Sequence, residues 1–425
     1  MSVAKLNLSA GKPSVCKQTL TASPIVGLGI ALLLSSCALN QTHERARDIA
    51  QRHLILDTHV DVPYRTFRDP ADVGLATESG EFDFPRAVSG GLNAPFMSIY
   101  TPADVDAAGD AYDFANEAID GVETLIARHP DKFALATCAS DLFGHQQAGL
   151  ISFPLGMENG GPISSNFNNL EHFYKRGIRY ITLSHSKSNH ISDSSYDTNE
   201  RWQGLSSFGK ALIPEMNRLG VMVDVSHISD LAFWQVMELS KVPVIASHSS
   251  LRHFTPGFQR NMGDDMVTAL AENGGVIQIN FGSSFIHQAA RDWGTTRIAR
   301  ALALKEANNL PEGHPDLIAF MENYSEEHPY PFATLDHVLD HIDRAVAIAG
   351  IDAVGIGSDY DGVGDTLPVG LKDVSTYPNL ISGLLKRGYD EEEIAKILGG
   401  NTLRVWREIE AYAESQGTKT LCSAQ

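Results

Sequence analysis

The sequence predicts an α/β fold, more specifically a closed (β/α)8 barrel of the TIM type with long loop insertions. Eight short apolar runs alternate with segments of helical periodicity, which is the pattern of parallel strands joined by helices. Nearly every run ends at a polar residue, whereas an open doubly wound sheet would cluster such residues at one switch point. We therefore expect all eight strand ends to meet at a single polar mouth.

The polar ends of the runs include residue types that bind divalent metals. In chain order the runs are LILDTH with His59 and then Asp61, APFMSIY with Tyr100, ISFPLGME with Glu158, IRYITLSH with His185, VMVDVSH with His227, VPVIASH with His248, GVIQIN with Asn280, and AVGIGSD with Asp359. The predicted helices between them include residues 111–128, 208–219, 230–239, 264–272, 335–349 and 391–410. A plain barrel needs about 250 residues, so the surplus is expected in loops, mainly 63–91 and 282–331, as lids or interface elements.

The charge of the chain excludes some classes of partner. Its 425 residues are 43% hydrophobic and 20% charged, with a formal net charge of -19. Nucleic acids and anionic membrane surfaces are bound through clustered lysine and arginine, which this chain lacks. Nucleic acid is therefore not an expected partner.

The first 37 residues have the order of a bacterial export signal. A basic start with Lys5, Lys12 and Lys17 precedes the apolar stretch TLTASPIVGLGIALLL, and small residues then lead to Cys37. These small residues resemble a lipobox, so we expect Cys37 to be lipidated and to anchor an extracytoplasmic protein to a membrane. A free-standing membrane helix is the alternative, although the stretch is short for a span of about 20 residues. The predicted parts are an export signal at 1–36, a tether and lead-in helix at 37–52, one barrel domain at 53–415 and a tail at 416–425.

Two cysteines, Cys138 and Cys422, lie beyond the predicted signal. They allow one disulfide at most, and their spacing leaves open whether they meet. They do not form a metal-binding motif.

Three of the polar strand ends carry the first metal-binding hypothesis. His59 and Asp61 are two residues apart at the end of a strand, so both side chains face the same side and can chelate one ion. A histidine hydrogen-bonded in the core is the alternative for so short a motif. Glu158 ends another strand, and its carboxylate has two oxygens that can bridge two ions; a helix-capping acid is the alternative.

His227 and His248 end consecutive strands 21 residues apart, so neighbouring barrel strands would bring them side by side. Neutral imidazoles combined with carboxylates suit Zn²⁺ or a similar borderline ion. Two ions about 3.5 to 4 Å apart would share a water or hydroxide that attacks a polarised carbonyl. Asp359 beside that water is the expected proton acceptor and donor. Asp361 competes for this role, but the glycine that follows it indicates a turn.

Arg260 is a candidate for binding a free carboxylate terminus, because a planar guanidinium recognises a carboxylate in bidentate fashion. A surface arginine paired with Asp264 or Asp265 is the alternative. His190 is interpreted as a loop or substrate-pocket residue, and the pair one helical turn apart, His337 and His341, as structural.

Several motifs together resemble the membrane dipeptidase family, also called renal dipeptidases, of amidohydrolase-like metallopeptidases. They are DTHVD, GMENG, LSHS, DVSH, PVIASHSS followed by RNMGDD, and GIGSDYDGV followed by GLKDVSTYPNLISGLL. The resemblance runs from about Asp57 to Ile409. After LSHS, the segment KSNHISDSSYD departs from the tryptophan-containing segment of the animal enzymes, so the side-chain preference is not implied.

The resemblance implies a role for each candidate residue. One zinc ion would be bound by His59 and Asp61, the second by His227 and His248, with Glu158 as the bridge. His185 would contact the scissile carbonyl or its oxyanion, Arg260 the C-terminal carboxylate of the substrate, and Asp359 would be the acid/base. Dimers are common in that family, so a homodimer is expected by analogy.

The sequence therefore predicts a lipid-anchored dipeptidase with two Zn²⁺ ions bridged by Glu158 and a water or hydroxide. One alternative is another binuclear amidohydrolase, acting on N-acyl amino acids, lactones or β-lactam-like amides. A binding lipoprotein without turnover is the other, and an aspartate such as Asp359 beside two metals argues against it.

Overall fold

A sheet of eight parallel strands is the central feature of the computed structural model, which describes residues 41–422. Together with β3 and β4, which form a separate small sheet, the strands in chain order are β1 (Ile55–Val60), β2 (Leu92–Tyr100), β3 (Phe133–Leu135), β4 (Ile151–Phe153), β5 (Leu155–Glu158), β6 (Ile178–Thr182), β7 (Met222–Asp224), β8 (Ile245–Ser249), β9 (Val276–Ile279) and β10 (Val354–Ile356). The helices are α1 (41–52), α2 (Val62–Arg68), α3 (Phe84–Gly90), α4 (Ala103–Ala108), α5 (Ala111–Arg128), α6 (Asp141–Gln147), α7 (Phe167–Lys175), α8 (Ser207–Leu219), α9 (Asp230–Leu239), α10 (Asp264–Glu272), α11 (Ser283–Ile286), α12 (Gln288–Ala307), α13 (Pro315–Glu327), α14 (Leu335–Ala349), α15 (Tyr377–Arg387), α16 (Glu391–Ala395) and α17 (Asn401–Ser415).

The strand order closes the sheet into a barrel. The order is β1-β2-β5-β6-β7-β8-β9-β10, and every pair is parallel. The first and last strands meet just past their ends, where Asp359 N donates to His59 O at 3.1 Å and Asp61 N donates to Tyr360 O at 2.8 Å. All eight predicted strands are therefore present, and the predicted (β/α)8 barrel is confirmed. Closing the barrel also joins two of the predicted site segments directly.

One predicted strand is divided by Pro154. The run ISFPLGME forms β4 and β5, because proline has no N–H to donate to a sheet ladder. Only β5 belongs to the barrel; β4 pairs with β3 in a small two-stranded sheet that the sequence reasoning did not predict. The Pro154 carbonyl still accepts from Met97 N at 2.8 Å, which holds the start of β5 against β2.

The predicted helices are confirmed with one difference. Helices α5, α9, α10 and α14 have the predicted limits, and α8 starts one residue earlier. The helix predicted over 391–410 is two helices, α16 and α17, separated by a π-helical turn at Lys396–Gly400 in which Gly399 has non-helical dihedrals. Gly399 packs against β1, where a Cβ would lie 2.8 Å from Cβ of Leu56. Close packing on the barrel thus overrides the continuous helical pattern.

The two segments predicted to be loops contain helices. Segment 63–91 includes most of α2 and all of α3, and segment 282–331 includes α11, α12 and α13. The long insertions are therefore present at the predicted places, and much of their length is helical. In α12 and α13, Ala290 and Tyr324 are the buried residues, so these helices lack the wide apolar stripe that periodicity detects.

The described part of the chain starts in a helix and ends at a disulfide. The export signal and Cys37 lie outside the described residues, and residues 41–52 of the predicted lead-in segment are helical. Among residues 41–422, no helix has the length and apolar character needed to cross a membrane. Residues from 43 onward belong to one compact unit, in which Cys138 and Cys422 form a disulfide that ties the C-terminal segment to the loop before α6.

Candidate metal centre

The carboxyl ends of the barrel strands meet at one mouth. In chain order the predicted residues there are His59 in β1 and Asp61 just after it, Glu158 at the end of β5, His185 after β6, His227 after β7, His248 in β8, Asn280 after β9 and Asp359 after β10. Most of them line a cavity of about 570 Å³, whose wall also includes Tyr64, Tyr100, Tyr196 and Phe285. This is the size of a small-molecule site.

Glu158 lies at the centre of four imidazoles. Its Oε1 is 3.3 Å from Nε2 of His185, 3.2 Å from Nε2 of His227 and 3.4 Å from Nε2 of His248. Its Oε2 is 3.5 Å from Nε2 of His59. One carboxylate thus turns an oxygen toward each of two groups of nitrogen atoms, as a bridging ligand must.

Three groups at this mouth have ligand atoms that all lie within 4.8 Å of one another. They are His59, Asp61 and Glu158; Glu158, His185 and His227; and His59, His248 and Asp359. The groups share His59 and Glu158, so they form one continuous cluster of nitrogen and oxygen ligands.

His59 provides the clearest test of whether a cation fits. Its Nδ1 is 2.8 Å from the hydroxyl of Tyr180, while its buried Nε2 has no hydrogen-bond partner among the described residues and lies 3.4 Å from Asp61 Oδ2. Buried polar atoms without a partner are rare. Desolvation would lower the pKa of His59, but the charges of Tyr180, Asp61 and Glu158 raise it well above its ordinary value. The same field attracts a cation to Nε2, so the residues present fit a divalent metal.

His248 is oriented from behind by a buried carboxylate. Ser247 Oγ donates to Asp224 Oδ2 at 2.6 Å and lies 2.8 Å from Nδ1 of His248. Because the serine proton is given to Asp224, Oγ accepts from Nδ1–H of His248. Nε2 of His248 then carries the lone pair, which is the tautomer that binds a metal, and it lies 2.8 Å from Nε2 of His227 and 3.4 Å from Glu158 Oε1.

The electrostatics give His227, His248 and Glu158 the charges that metal binding requires. Burial lowers the pKa of His227 and of His248 well below the ordinary value for histidine, so both are neutral. Burial opposes ionisation of Glu158, but the charges of His59 and His185 outweigh it and hold the pKa of Glu158 well below its usual range. Neutral imidazoles and an ionised carboxylate are the forms that bind metals.

Asp359 lies at the edge of the ligand cluster. Its Oδ2 accepts a hydrogen bond from Asn280 Nδ2 at 2.6 Å. Burial raises the pKa of Asp359 to about 7, and cations bound beside it would lower that pKa. The competing Asp361 also lines the cavity, but both of its carboxylate oxygens are engaged: Oδ1 accepts from Glu81 N at 2.6 Å and Oδ2 lies 2.9 Å from Arg65 Nε.

The backbone at the mouth is strained where the site needs it. His227 (φ 69°) and Asp359 (φ 65°) are in the left-handed region that favours glycine, at a cost of about 1 to 3 kcal/mol each. Next to Asp359, a Cβ on Gly362 would lie 2.2 Å from Asp61 Oδ2 and 2.5 Å from Asp359 Oδ1. Only glycine therefore allows these two carboxylates to approach the turn.

Arg260 is buried next to the ligand cluster, in contact with His248. Its Nη1 donates to Ser249 Oγ at 2.7 Å and its Nη2 to His248 O at 2.7 Å, while Nε is buried without a partner. No ion pair to Asp264 is formed, because Arg344 takes that carboxylate. Among the described residues Arg260 is thus a buried cation without an acidic counterpart.

The other singled-out histidines lie away from this cluster. His341 is a satisfied core residue in α14, where Nδ1 accepts from Leu251 N and Nε2 lies 3.2 Å from Ile286 O. His337 caps the start of the same helix through Thr334. His190 packs against Phe208.

Sequence reasoning missed the residues that hold the ligands in place. Tyr180 lies in the middle of β6, Asp224 is the last residue of β7 but precedes the predicted ligand His227 by three residues, and Ser247 directly precedes His248. A signal was present for Tyr180, since Gly156 on the neighbouring strand leaves the space for its ring: a Cβ there would lie 1.9 Å from the tyrosine Cζ.

The chain is similar to known peptidases over most of its length. Residues 43–420 match the family described as membrane dipeptidase, peptidase family M19. Dipeptidase 3 of Mus musculus is 31% identical over 380 residues, which are 87% of this chain and 67% of that protein. The structure of the probable dipeptidase PvdM of Pseudomonas aeruginosa has a TM-score of 0.75 at 26% identity, covering 88% of this chain and 100% of the other. A metallopeptidase of Rhodobacter sphaeroides, crystallised with a phosphinate mimic of L-Ala-D-Ala, shares the fold with a TM-score of 0.69 at 24% identity, over 84% and 99% of the two chains.

Proposed function

Because the chain belongs to the membrane dipeptidase family, peptidase family M19, we propose that it hydrolyses dipeptides at a centre of two Zn²⁺ ions. Family membership makes it a metallopeptidase of the dipeptidase type. The finer proposal gives Asp359 the role of acid/base and Arg260 that of binding the substrate carboxylate. It is carried by one observation, the convergence of four imidazoles on the two oxygens of Glu158.

The ligands divide into two sets around Glu158. His59 and Asp61 face Oε2, and His227 and His248 face Oε1. Bound at these sets, two Zn²⁺ ions would activate a water and polarise the scissile carbonyl. His185 also faces Oε1, but it is the most solvent-exposed of the four imidazoles, at 19% of its side chain. We therefore give it to the substrate: it would donate to the carbonyl oxygen as negative charge develops there.

Asp359 would move the proton. Its carboxylate faces the ligand cluster and is fixed by Asn280. In that position it would take a proton from the attacking water and hand it to the leaving amine. Asn280 would act by holding the carboxylate at the required angle.

Arg260 would select substrates with a free carboxyl end. Its buried, unpaired Nε and its two fixed Nη groups present a desolvated cation close to His248. A carboxylate is the planar anion that satisfies such a group. The scissile bond would then lie one residue from the C-terminus, as the single peptide bond of a dipeptide does.

The test is hydrolysis of L-Ala-L-Ala, L-Ala-D-Ala and their C-terminal amides by the zinc-supplemented protein, with and without chelator. The L,D form is included because the Rhodobacter sphaeroides structure contains a mimic of it. We expect cleavage of at least one free dipeptide, loss of activity with chelator and its return with Zn²⁺. The Arg260→Met substitution should lower kcat/KM for the free dipeptide by about 10²-fold and have little effect on the amide.

Other outcomes point to the alternatives. Equal cleavage of the free dipeptide and its amide would favour a different binuclear amidohydrolase. Zinc binding without turnover of any dipeptide would favour a binding lipoprotein.

We also propose that the protein is a lipid-anchored, extracytoplasmic enzyme. The order of residues before Cys37 supports this. The disulfide between Cys138 and Cys422 fits an oxidising compartment. In a bacterial host, the full chain should fractionate with membranes and incorporate labelled fatty acid, and Cys37→Ser should abolish the label. A labelled Cys37→Ser protein would contradict the proposal.

A further inference from the structure

A second arginine stands beside the cavity wall. Arg291, in the first turn of α12, has its guanidinium carbon 3.4 Å from the ring centroid of Phe258. The ring of Phe258 is 5.8 Å from that of Phe285, which lines the cavity, and the guanidinium carbon of Arg260 is 5.4 Å from the Phe285 ring centroid. Two adjacent phenylalanine rings therefore lie between two guanidinium groups, one of them the proposed carboxylate binder.

The guanidinium of Arg291 has no direct polar partner, although the charge of Asp292, which itself accepts from Gln288 Nε2 at 2.6 Å, acts on it. Among residues 41–422 the structure gives its guanidinium neither a hydrogen-bond acceptor nor an ion-pair partner, and its contact is the face of Phe258. Arg297, one and a half turns further along α12, instead donates to Met321 O. Stacking on a ring uses only the flat face of a guanidinium, so all its N–H groups remain free in the plane. The N–H groups of this half-buried cation are therefore free to bind an anion.

Tyr196 lies between Arg291 and the cavity. Its ring is 6.0 Å from the Phe258 ring and 5.9 Å from the imidazole of His227, and it lines the cavity. The phenol hydroxyl has no hydrogen-bond partner among the described residues. The residue is 42% exposed. Desolvation raises the pKa of Tyr196, the charge of Arg260 lowers it, the charge of Asp359 raises it and the charge of Arg291 lowers it. Both guanidinium groups therefore act on the space around this hydroxyl.

We propose that Arg291 and Tyr196 form a second anion subsite, which binds the side-chain carboxylate of the substrate's C-terminal residue. The preferred substrates are then dipeptides that end in aspartate or glutamate. This inference rests on the proposed function, because it needs the α-carboxylate on Arg260 to direct the neighbouring side chain toward Arg291. The cavity of about 570 Å³ leaves room for such a side chain.

The experiment compares a charged substrate with its uncharged isostere. The zinc-loaded protein is assayed with Ala-Glu and Ala-Gln, each in the L,L and L,D forms. For the wild type we expect kcat/KM to be about tenfold higher for Ala-Glu than for Ala-Gln, because one partly buried charge pair contributes a factor of about this order. The difference should appear as a lower KM for Ala-Glu. Arg291→Met should bring the ratio of kcat/KM for Ala-Glu to that for Ala-Gln close to one. Its kcat/KM for Ala-Gln should differ from the wild-type value by less than about threefold.

Two further variants separate recognition from structure. Arg291→Glu should invert the charge preference, so that Ala-Lys becomes better than Ala-Glu. The matched control Arg300→Met removes an arginine that packs on Tyr324 further along the same helix, and it should keep the wild-type ratio.

A wild-type ratio near one would overturn the inference, as would Arg291→Met lowering both substrates equally. Either result, obtained with active enzyme, leaves the dipeptidase function standing. Absence of cleavage of both peptides by protein that cleaves Ala-Ala also overturns the inference, whereas absence of cleavage of every dipeptide contradicts the proposed function itself.

Discussion

Asp359→Asn is expected to lower kcat for dipeptide hydrolysis by about 10³-fold, without loss of zinc or of the fold. Asparagine has the same shape and can still accept the hydrogen bond that Asn280 donates to Asp359 Oδ2. It cannot take up and return a proton at neutral pH. The loss should therefore appear in kcat, with a much smaller effect on KM. Steady-state kinetics, zinc content and circular dichroism of the two proteins measure this.

The matched control for this prediction is Asp361→Asn, two residues away. Asp361 accepts from Glu81 N and lies 2.9 Å from Arg65 Nε. Its substitution should therefore lower the melting temperature and leave most of kcat in place. If Asp361→Asn abolished turnover and Asp359→Asn kept a tenth or more of it, the assignment of the acid/base would be reversed.

The barrel and the ligand cluster could be predicted because both depend on one regular feature. The position of a polar residue at the end of an apolar strand is fixed by the strand, and in a parallel barrel the carboxyl ends of all strands meet. His59, Glu158 and His248 were therefore identifiable one by one, without knowledge of their distances. The relation of His59 to Asp359 follows from barrel closure, where Asp359 N donates to His59 O.

The rest depends on contacts between residues far apart in the chain. Tyr180 reaches His59 across the barrel interior from the middle of β6, and Asp224 reaches His248 through Ser247. Their sequence context is that of ordinary buried strand residues. Arg291 is harder still, because its stacking on Phe258 requires an insertion helix that has almost no buried face. Periodicity cannot detect either kind of contact.

Glu158→Gln is expected to disrupt the metal centre as a whole. Glutamine keeps the size of the side chain but has no charge and one acceptor oxygen, whereas Glu158 has an oxygen on His59 and another on the other three imidazoles. We expect zinc content to fall to about one ion or fewer per chain and kcat to fall by at least about 10³-fold, since the shared ligand is lost.

Thermal stability separates a lost metal site from a damaged fold. On the proposed function zinc binds the native state, and it should then raise the melting temperature of the wild type in proportion to ln(1 + [Zn]/Kd). For Glu158→Gln this increment should shrink strongly. At neutral pH the metal-free variant should melt somewhat below the metal-free wild type, because the attraction of the histidines to the Glu158 carboxylate outweighs its desolvation cost. A lost metal site is therefore recognised by the missing zinc increment in a variant that still unfolds cooperatively.

Glu410→Gln is the control for the same chemical change outside the site. Glu410 accepts from Ala139 N at 3.0 Å near the C-terminal disulfide, and burial raises its pKa to about 7. A neutral amide at that position is therefore a small perturbation, and zinc content, the zinc-dependent stabilisation and kcat should all remain at wild-type values. Two zinc ions and full turnover in Glu158→Gln would mean that the imidazoles and Asp61 suffice to hold both metals, and Glu158 would lose its role as the bridge.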